Sequence, residues 1–395
     1  MTPEGGTRPR GAAPRIALML GNLVTGLAIV GVAGMLGDLA QGLAVSIQRA
    51  GLLVTAGAIV LCIGSPLTVW ATSELDRRRL LAVSLVLVAL GHFASAAATG
   101  YGALLLLRVL TMVAAALFTP VAASTIALIV PPRERPAAIT FVFLGWSLAV
   151  AAGLPAVAFL ARHAGWQATY AAIGAGLLAV AAFVYRAVPA GVRGARLSLA
   201  SWGELAQHRL VVTLLVVTAV HIAGQFVVFT YLAPLLTGLG GAGVAAIGLA
   251  FSLFGVTGFV GNVLATRLVT SAGAFATSLL SLGCILLGLG LWSVGVGTLP
   301  VMLAGVAVWG LGFAAVNSMQ QARLVAAAPA LGAASVSLNT SAIYVGQAVG
   351  SALGGLLFAR NLPLTLGYAA MSFVAAALLL LATTRDSRVP AVRAG

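Results

Sequence analysis

Apolar residues fall along the chain in twelve blocks, each bounded by charge, glycine or proline and each long enough to cross a bilayer. A spanning helix needs roughly 20 mostly apolar residues. The first six blocks lie at 15–37, 48–70, 80–99, 102–130, 137–160 and 166–187. The second six lie at 210–236, 243–267, 273–295, 299–325, 332–358 and 363–384. The first block is too long for the apolar core of a signal peptide and leads into a second span, so it reads as a retained helix. The pattern predicts an all-α membrane protein.

Composition sharpens this. Of 395 residues, 61% are hydrophobic and only 7% charged, with a mean hydropathy of +1.12. A soluble domain carries about 25% charged residues, so a soluble enzyme, a disulfide scaffold and a disordered chain are all excluded. The 21 basic residues are all arginine and stand against seven acids, for a net charge of +14. In a soluble protein that balance would suggest nucleic acid. Here the arginines sit between apolar blocks, where they act as topology signals. With the N-terminus inside, 17 arginines fall on the inner side and three (Arg49, Arg162, Arg360) on the outer side, with Arg108 inside a span. Basic loops resist translocation, so both termini are expected in the cytoplasm.

The longest connection, 188–209, divides the chain into parts of 187 and 186 residues. The expected organisation is a cytoplasmic tail at 1–14, a six-helix bundle at 15–187, a linker at 188–209, a second bundle at 210–384 and a tail at 385–395. Two equal six-helix halves match the parallel repeat of secondary transporters. Cys62 and Cys284 lie 222 positions apart within apolar blocks, with no CxxC spacing. Neither a metal site nor a cofactor is indicated.

Several short motifs, in order along these spans, resemble the major facilitator superfamily, in particular its arabinose-efflux-permease-like and drug-efflux (drug:proton antiporter) branch. The stretch Gly64–Arg79 is similar to the family's loop between helices two and three, of the form Gly-x-x-x-Asp-Arg-x-Gly-Arg-Arg. Arg77 and Arg78 match it. Val69, Ser73, Glu74 and Asp76 stand where the family has Gly, Asp, Arg and Gly, so the family's cytoplasmic latch would fall to Glu74 or Asp76. Ala149–Pro155, with Gly153 and Pro155, resembles the helix-5 antiporter motif. Gly165-Trp166-Gln167, Phe229–Pro234 and Gln321-Ala322-Arg323 also look typical of the branch. The resemblance implies a multi-pass transporter of a bacterial-type inner (plasma) membrane that alternates access to a midplane site.

Polar residues inside the blocks are the candidate site. A charge at the bilayer centre costs roughly 2.5–3.5 kcal/mol, so Arg108 must either contact substrate or a proton relay, or pack against backbone carbonyls. His221 lies mid-span in helix 7 with Gln225 one turn on; it could carry a proton or serve as a neutral hydrogen-bonder. Asn22 and Thr25 in helix 1, Asn317, Gln320 and Gln321 in helix 10, and Asn339 and Gln347 in helix 11 form polar stripes. Such stripes either line a cavity or join helices. Phe226, Tyr231 and Tyr344 could stack on a planar ligand. The candidate substrate set is therefore Asn22, Thr25, Arg108, His221, Gln225, Tyr231, Asn317, Gln320, Gln321, Asn339, Tyr344 and Gln347.

All seven acids (Glu4, Asp38, Glu74, Asp76, Glu134, Glu204, Asp386) sit in termini, loops or helix ends. The carboxylate that many family members carry in helix 1, near Ile29, is missing. Proton coupling would therefore fall to Arg108, His221 or Asp38. The expected function is efflux of a small polar organic solute (a sugar, a nucleoside or purine, or a neutral drug), with protons as the coupling ion implied by the family. The alternatives are an uncoupled facilitator or an organic-anion carrier using Arg108. A channel or a membrane-embedded enzyme is disfavoured, since no HExxH, paired intramembrane aspartates or nucleotide-binding loop is present. The expected partners are the solute and the bilayer, with no nucleic acid, and the chain is expected to work as a monomer.

Overall fold

The computed structural model describes residues 12–131, 134–194, 200–328 and 331–385. Of the charged residues, Glu4, Arg8, Arg10, Arg133, Arg196, Asp386, Arg388 and Arg393 lie outside that set, as does most of both tails. The described residues form fourteen α-helices and one π turn.

In the first half these are α1 (Ala12–Gly34), α2 (Leu36–Gly42), α3 (Ile47–Ala71), α4 (Arg77–Ala96), α5 (Tyr101–Ile129), α6 (Arg135–Leu148) and α7 (Leu154–Ala187). The π turn Ala149–Gly153 joins α6 to α7. In the remainder they are α8 (Ala200–Gln207), α9 (Arg209–Phe229), α10 (Leu232–Gly240), α11 (Val244–Val294), α12 (Leu299–Ala327), α13 (Gly332–Ala359) and α14 (Thr365–Ala382).

Ten continuous helical stretches are long and apolar enough to span a membrane. Two of them, ending in α7 and formed by α11, each contain two crossings. The break comes at Gly165 (φ 87°) and at Gly273 (φ 80°), in a region of backbone space where an L side chain is strained. With these two breaks the chain makes twelve crossings, as the apolar blocks predict. The repeat is equally direct. Helices α1, α3, α5 and α6 begin 197 or 198 residues before α9, α11, α12 and α13 respectively.

Several local expectations change. The seventh block is interrupted at Thr230–Tyr231, so α9 ends at Phe229 and α10 is a separate helix. The first block ends at Gly34, and Asp38 belongs to the short α2. The connection at 188–209 carries α8. His163, expected in a loop, is helical, with Nδ1 2.7 Å from the Phe159 carbonyl oxygen. Short breaks and short surface helices leave little trace in hydropathy.

The halves meet along two seams, α3 against α13 and the fifth crossing against α11. Several hydrogen bonds cross between the halves among the described residues. The Thr55 and Ser351 hydroxyls lie 2.8 Å apart, Ser252 donates to the Ala151 carbonyl at 2.8 Å, and Ser341 donates to the Cys62 carbonyl at 3.0 Å. The first two lie in the middle or outer part of the bundle, and the Ser341–Cys62 bond lies somewhat inward of the middle. At the outer end Tyr231 donates to the Ser351 carbonyl at 3.0 Å, and its hydroxyl occupies the space a Cβ at Gly51 would need. The surface helices α2 and α10 touch above it. The two halves are thus in contact at their outer end.

At the arginine-rich end, several charges pair within their own half. Arg15 pairs with Glu134, joining α1 to α6. Arg323 donates to the Thr384 hydroxyl at 2.7 Å and lies over the Phe275 ring. Asp76 caps α4 by accepting from the Arg79 backbone N–H at 3.0 Å, and it also accepts from the Gly191 N–H. The Arg77 backbone N–H donates to the Val192 carbonyl at 2.9 Å. The loop between the second and third crossings therefore grips the start of the linker in its own half.

Partial burial pushes the Asp76 carboxyl up, but the N–H groups of Arg79 and Gly191 and the Arg79 charge outweigh it, leaving the pKa below the ordinary value. A depressed carboxylate stabilises the fold above its unfolded pKa of about 4 and loses that contribution as pH falls through the folded value. Asp76→Ala should therefore lower stability at neutral pH by about 1 kcal/mol, the worth of a cap, and speed tryptic cleavage at Arg193. The gap from the parent in denaturation midpoint should close below about pH 4. At the outer contact, Gly51→Val should make a cysteine introduced at Thr55 react several-fold faster with an impermeant maleimide applied from outside, because the added side chain displaces Tyr231.

Candidate substrate pathway

Helices α1, α5 and α6 bring the first polar group together. Asn22 is fully buried and donates to the Val142 carbonyl of α6 at 3.1 Å. It accepts from the Thr119 hydroxyl of α5 at 2.9 Å, and the Trp146 indole N–H reaches Thr119 at 3.4 Å. Thr119 and Trp146 are half-buried, so this chain of donors and acceptors begins at an accessible surface inside the spans. Thr25, one turn further along α1, is buried with its hydroxyl unpartnered.

The first crossing can sit this close to the fifth because Gly145, Ala149 and Gly153 form a small-residue stripe at a spacing of four. A Cβ at Gly145 would meet the backbone at Met19 and Leu23, and Gly153 faces the Leu27 side chain. The π turn then carries Ala151 to the opposite side, where it meets Gly255 of α11, while Pro155 faces Gly248. The helix-5 motif thus serves as a packing hub between the first crossing and the other half.

Arg108 is 3% exposed. Its guanidinium donates to the carbonyls of Ala28 and Ile29, both at 2.6 Å, and of Leu53 at 3.3 Å. Of the two expectations for this arginine, the geometry is that of packing against carbonyls. It ties α5 to α1 and α3. Charge-assisted hydrogen bonds of this kind contribute about 1.5–3 kcal/mol each, enough to offset the insertion cost.

The second half supplies a matching set. Gln225 donates from Nε2 to His221 Nδ1 at 3.0 Å, and its Oε1 accepts from the Trp309 indole N–H at 2.7 Å. With Nδ1 accepting, the ring proton belongs on Nε2, which is buried without a partner. Phe229 and Phe254 pack on Trp309, with ring centroids 6.2 and 4.9 Å away, and Phe226 extends this aromatic wall, 5.4 Å from Phe229. Asn339 is buried on α13, accepting from Thr218 of α9 at 2.9 Å, with its Nδ2 unpartnered. Gln320 reaches the Leu214 carbonyl at 3.4 Å, also with an unpartnered oxygen.

Asn317 is half-buried and donates to the Phe313 carbonyl of its own helix at 2.9 Å, leaving Oδ1 unpartnered. It stands 198 residues after Thr119, the same interval that separates the starts of α12 and α5. The two side chains therefore occupy corresponding places in the repeat. Gln321 is half-buried beside it, and Tyr344 and Gln347 are buried on α13.

The remaining predicted residues lie elsewhere. Tyr231 belongs to the outer contact. Asp38 lies on α2 with its carboxylate 3.8 Å from Arg162; burial pushes its pKa up against the opposing pull of that arginine. Arg77 donates to the Ser73 carbonyl at 3.3 Å, and Arg78 lies over the Tyr185 ring, both at the inner end; Glu74 stands in the same loop. No group of three or more metal-ligating side chains occurs among the described residues. Thr119, Trp146, Thr218 and Trp309 are absent from the residues that the sequence pattern singles out. A threonine or tryptophan in an apolar block has no distinguishing pattern, and only its buried amide partner marks it.

Comparison with known proteins agrees with this architecture. The chain is 28% identical over 381 residues to the inner membrane transport protein YdhP of Escherichia coli (strain K12), covering 95% of this chain and 96% of that protein. It is 28% identical to a "Probable sugar efflux transporter" of Mannheimia succiniciproducens, covering 90% of each. It is 33% identical over 244 residues to a chloramphenicol resistance protein of Streptomyces lividans, covering 60% of this chain and 61% of that one. Its fold matches the crystal structure of a D-xylose-proton symporter with a TM-score of 0.74 at 17% identity, over 93% of this chain and 96% of that one. Twelve crossings and relatives named for the inner membrane make it a multi-pass protein of a bacterial inner membrane, a transporter and not an enzyme. The Major Facilitator Superfamily family model matches residues 18–351, and the chain belongs to that family.

Proposed function

We propose that this transporter exports small uncharged polar organic solutes, of the class of sugars and neutral drugs, by alternating access between its two halves. The observation that carries this reading is the electrical neutrality of the polar groups inside the spans. The carboxylates among the described residues (Asp38, Glu74, Asp76, Glu134, Glu204) all lie at helix ends or connections, and Arg108 is engaged by three carbonyls. What faces a solute is amide, hydroxyl and aromatic surface: Thr119 and Trp146 on one side, Asn317 and the Phe226 wall on the other. A cation finds no counter-charge there, and an anion finds no free guanidinium. The relatives named for sugar efflux and chloramphenicol resistance fit that class.

Of the three proton-coupling candidates, His221 alone combines a position inside the membrane with an unprotonated basic nitrogen, Nδ1, which now accepts from the Gln225 amide. We assign the coupling proton to it.

Counterflow in proteoliposomes should exchange labelled arabinose or chloramphenicol and leave tetraphenylphosphonium and p-aminohippurate behind. Transport of the cation or the anion in place of the neutral solutes would overturn the reading. Asn317→Leu should raise KM for the neutral solute about tenfold, the worth of one hydrogen bond of about 1.4 kcal/mol. Arg108→Gln should lower stability by about 2 kcal/mol or more while the protein that remains folded keeps its KM; a KM effect without a stability effect would place Arg108 in substrate binding. His221→Gln should abolish the response of uptake to an imposed pH gradient and retain counterflow, and a preserved gradient response would remove His221 from coupling.

A further inference from the structure

Two cavities on the lipid-facing side of the first half meet at one residue, Tyr185. The first, about 290 Å³, opens at the arginine-rich end and is walled by Asp76, Arg78, Arg79, Tyr185, Gly191 and Arg193. The second, about 360 Å³, runs between α4 and the last turns of α7 and is lined by Ala82, Val83, Val86, Leu87, Leu178 and Ala182 together with Tyr185. One is polar and basic, the other apolar, and Tyr185 lines both.

Three guanidinium groups face the first cavity against a single carboxylate. That carboxylate, Asp76, already accepts from the Arg79 and Gly191 backbone N–H groups. The Arg78 guanidinium lies 4.2 Å above the Tyr185 ring, and its Nε is buried without a partner. Stacking on an aromatic face fixes a guanidinium in place while leaving its edge free to donate. The cavity is therefore built to receive an anion, and oxygen-rich phosphate suits it.

The apolar groove gives the anion its tail. Val83 and Leu87 are more than half exposed along it, so in a bilayer the groove is filled by hydrocarbon. Arg78 and Leu87 are nine residues apart on α4, or roughly 13.5 Å at the helical rise. That is close to the depth of one leaflet, half of a hydrocarbon core of about 30 Å. An acidic peptide would account for the basic cavity and leave the groove unexplained.

We propose that this is a binding site for an anionic phospholipid of the cytoplasmic leaflet. Its phosphate sits among Arg78, Arg79 and Arg193, and one acyl chain lies in the groove between α4 and α7. Because Arg193 belongs to the linker and Arg78 to α4, the bound headgroup joins the linker to the first half.

The test uses the full chain reconstituted in nanodiscs of equal phosphatidylglycerol and phosphatidylcholine, returned to detergent, with retained lipid counted by native mass spectrometry. The parent should retain phosphatidylglycerol over phosphatidylcholine by roughly tenfold, as expected of one or two basic contacts. R78Q/R193Q should bring the two lipids level, and Ala182→Trp, which fills the groove, should cut phosphatidylglycerol retention with the two arginines intact. Unchanged circular dichroism and a monodisperse elution profile establish that each variant is folded. Equal retention of both lipids by the parent, or an undiminished preference in R78Q/R193Q, would overturn the site. Loss of phosphatidylglycerol from the parent on adding inorganic phosphate would show a simple anion site, and full retention by Ala182→Trp would show that no acyl chain occupies the groove; either result overturns the proposal.

Discussion

Two helical bundles can share one gap only if their backbones come close at a seam that excludes lipid and water, and small residues set where that happens. In this protein the approach of Ala151 to Gly255 and the insertion of Tyr231 beside Gly51 bring the halves together at mid-depth and outward. Lipid offers no hydrophobic drive for helix association. Cohesion at the seam therefore depends on close packing and on a few hydroxyl-to-carbonyl bonds, those of Ser252, Ser341 and the Thr55–Ser351 pair.

The inner end is arranged differently. Asp76 and Arg77 hold the linker, Glu134 holds Arg15, and Thr384 holds Arg323, each within one half. The family-like loop with Ser73 and Glu74 in altered places thus coexists with an inner end at which these charges pair within their own bundle. Asn22, Thr119 and Trp146 on one side and Asn317 on the other are supported by separate rigid scaffolds, α1/α5/α6 and α12. Movement of one half against the other changes what those side chains face without breaking the bonds that position them.

The number of crossings and the repeat were legible because each depends on long runs of one-dimensional pattern: apolar blocks and equal halves. The breaks at Gly165 and Gly273 fall where the blocks 137–160 and 166–187, and 243–267 and 273–295, divide, but the interruption at Thr230–Tyr231 was not legible, since a single turn of backbone barely alters mean hydropathy. Within the site, buried amides stood out against apolar surroundings, so Asn22, Gln225, Asn317 and Asn339 could be named from sequence. Their partners could not. Trp309 and Thr218 acquire a role only from tertiary contact, and Arg108 admitted two environments that sequence alone leaves equivalent. The lipid-facing cavity at Tyr185 depends on α4 and α7 lying side by side, which no local pattern encodes.

The central claim is that the two halves pivot about the mid-depth contact of Ala151 with Gly255, so that closing one end opens the other. Pulsed electron–electron distance measurements on spin labels test it most directly, with one pair at Gln41 and Thr237 on the outer helices α2 and α10, and another at Ser124 and Gln321 toward the inner ends of α5 and α12. Without solute the outer pair should be short and the inner pair long. Saturating transported solute should shift population so that the two distances change in opposite directions. Distances that stay fixed during transport, or that lengthen together, would contradict the account.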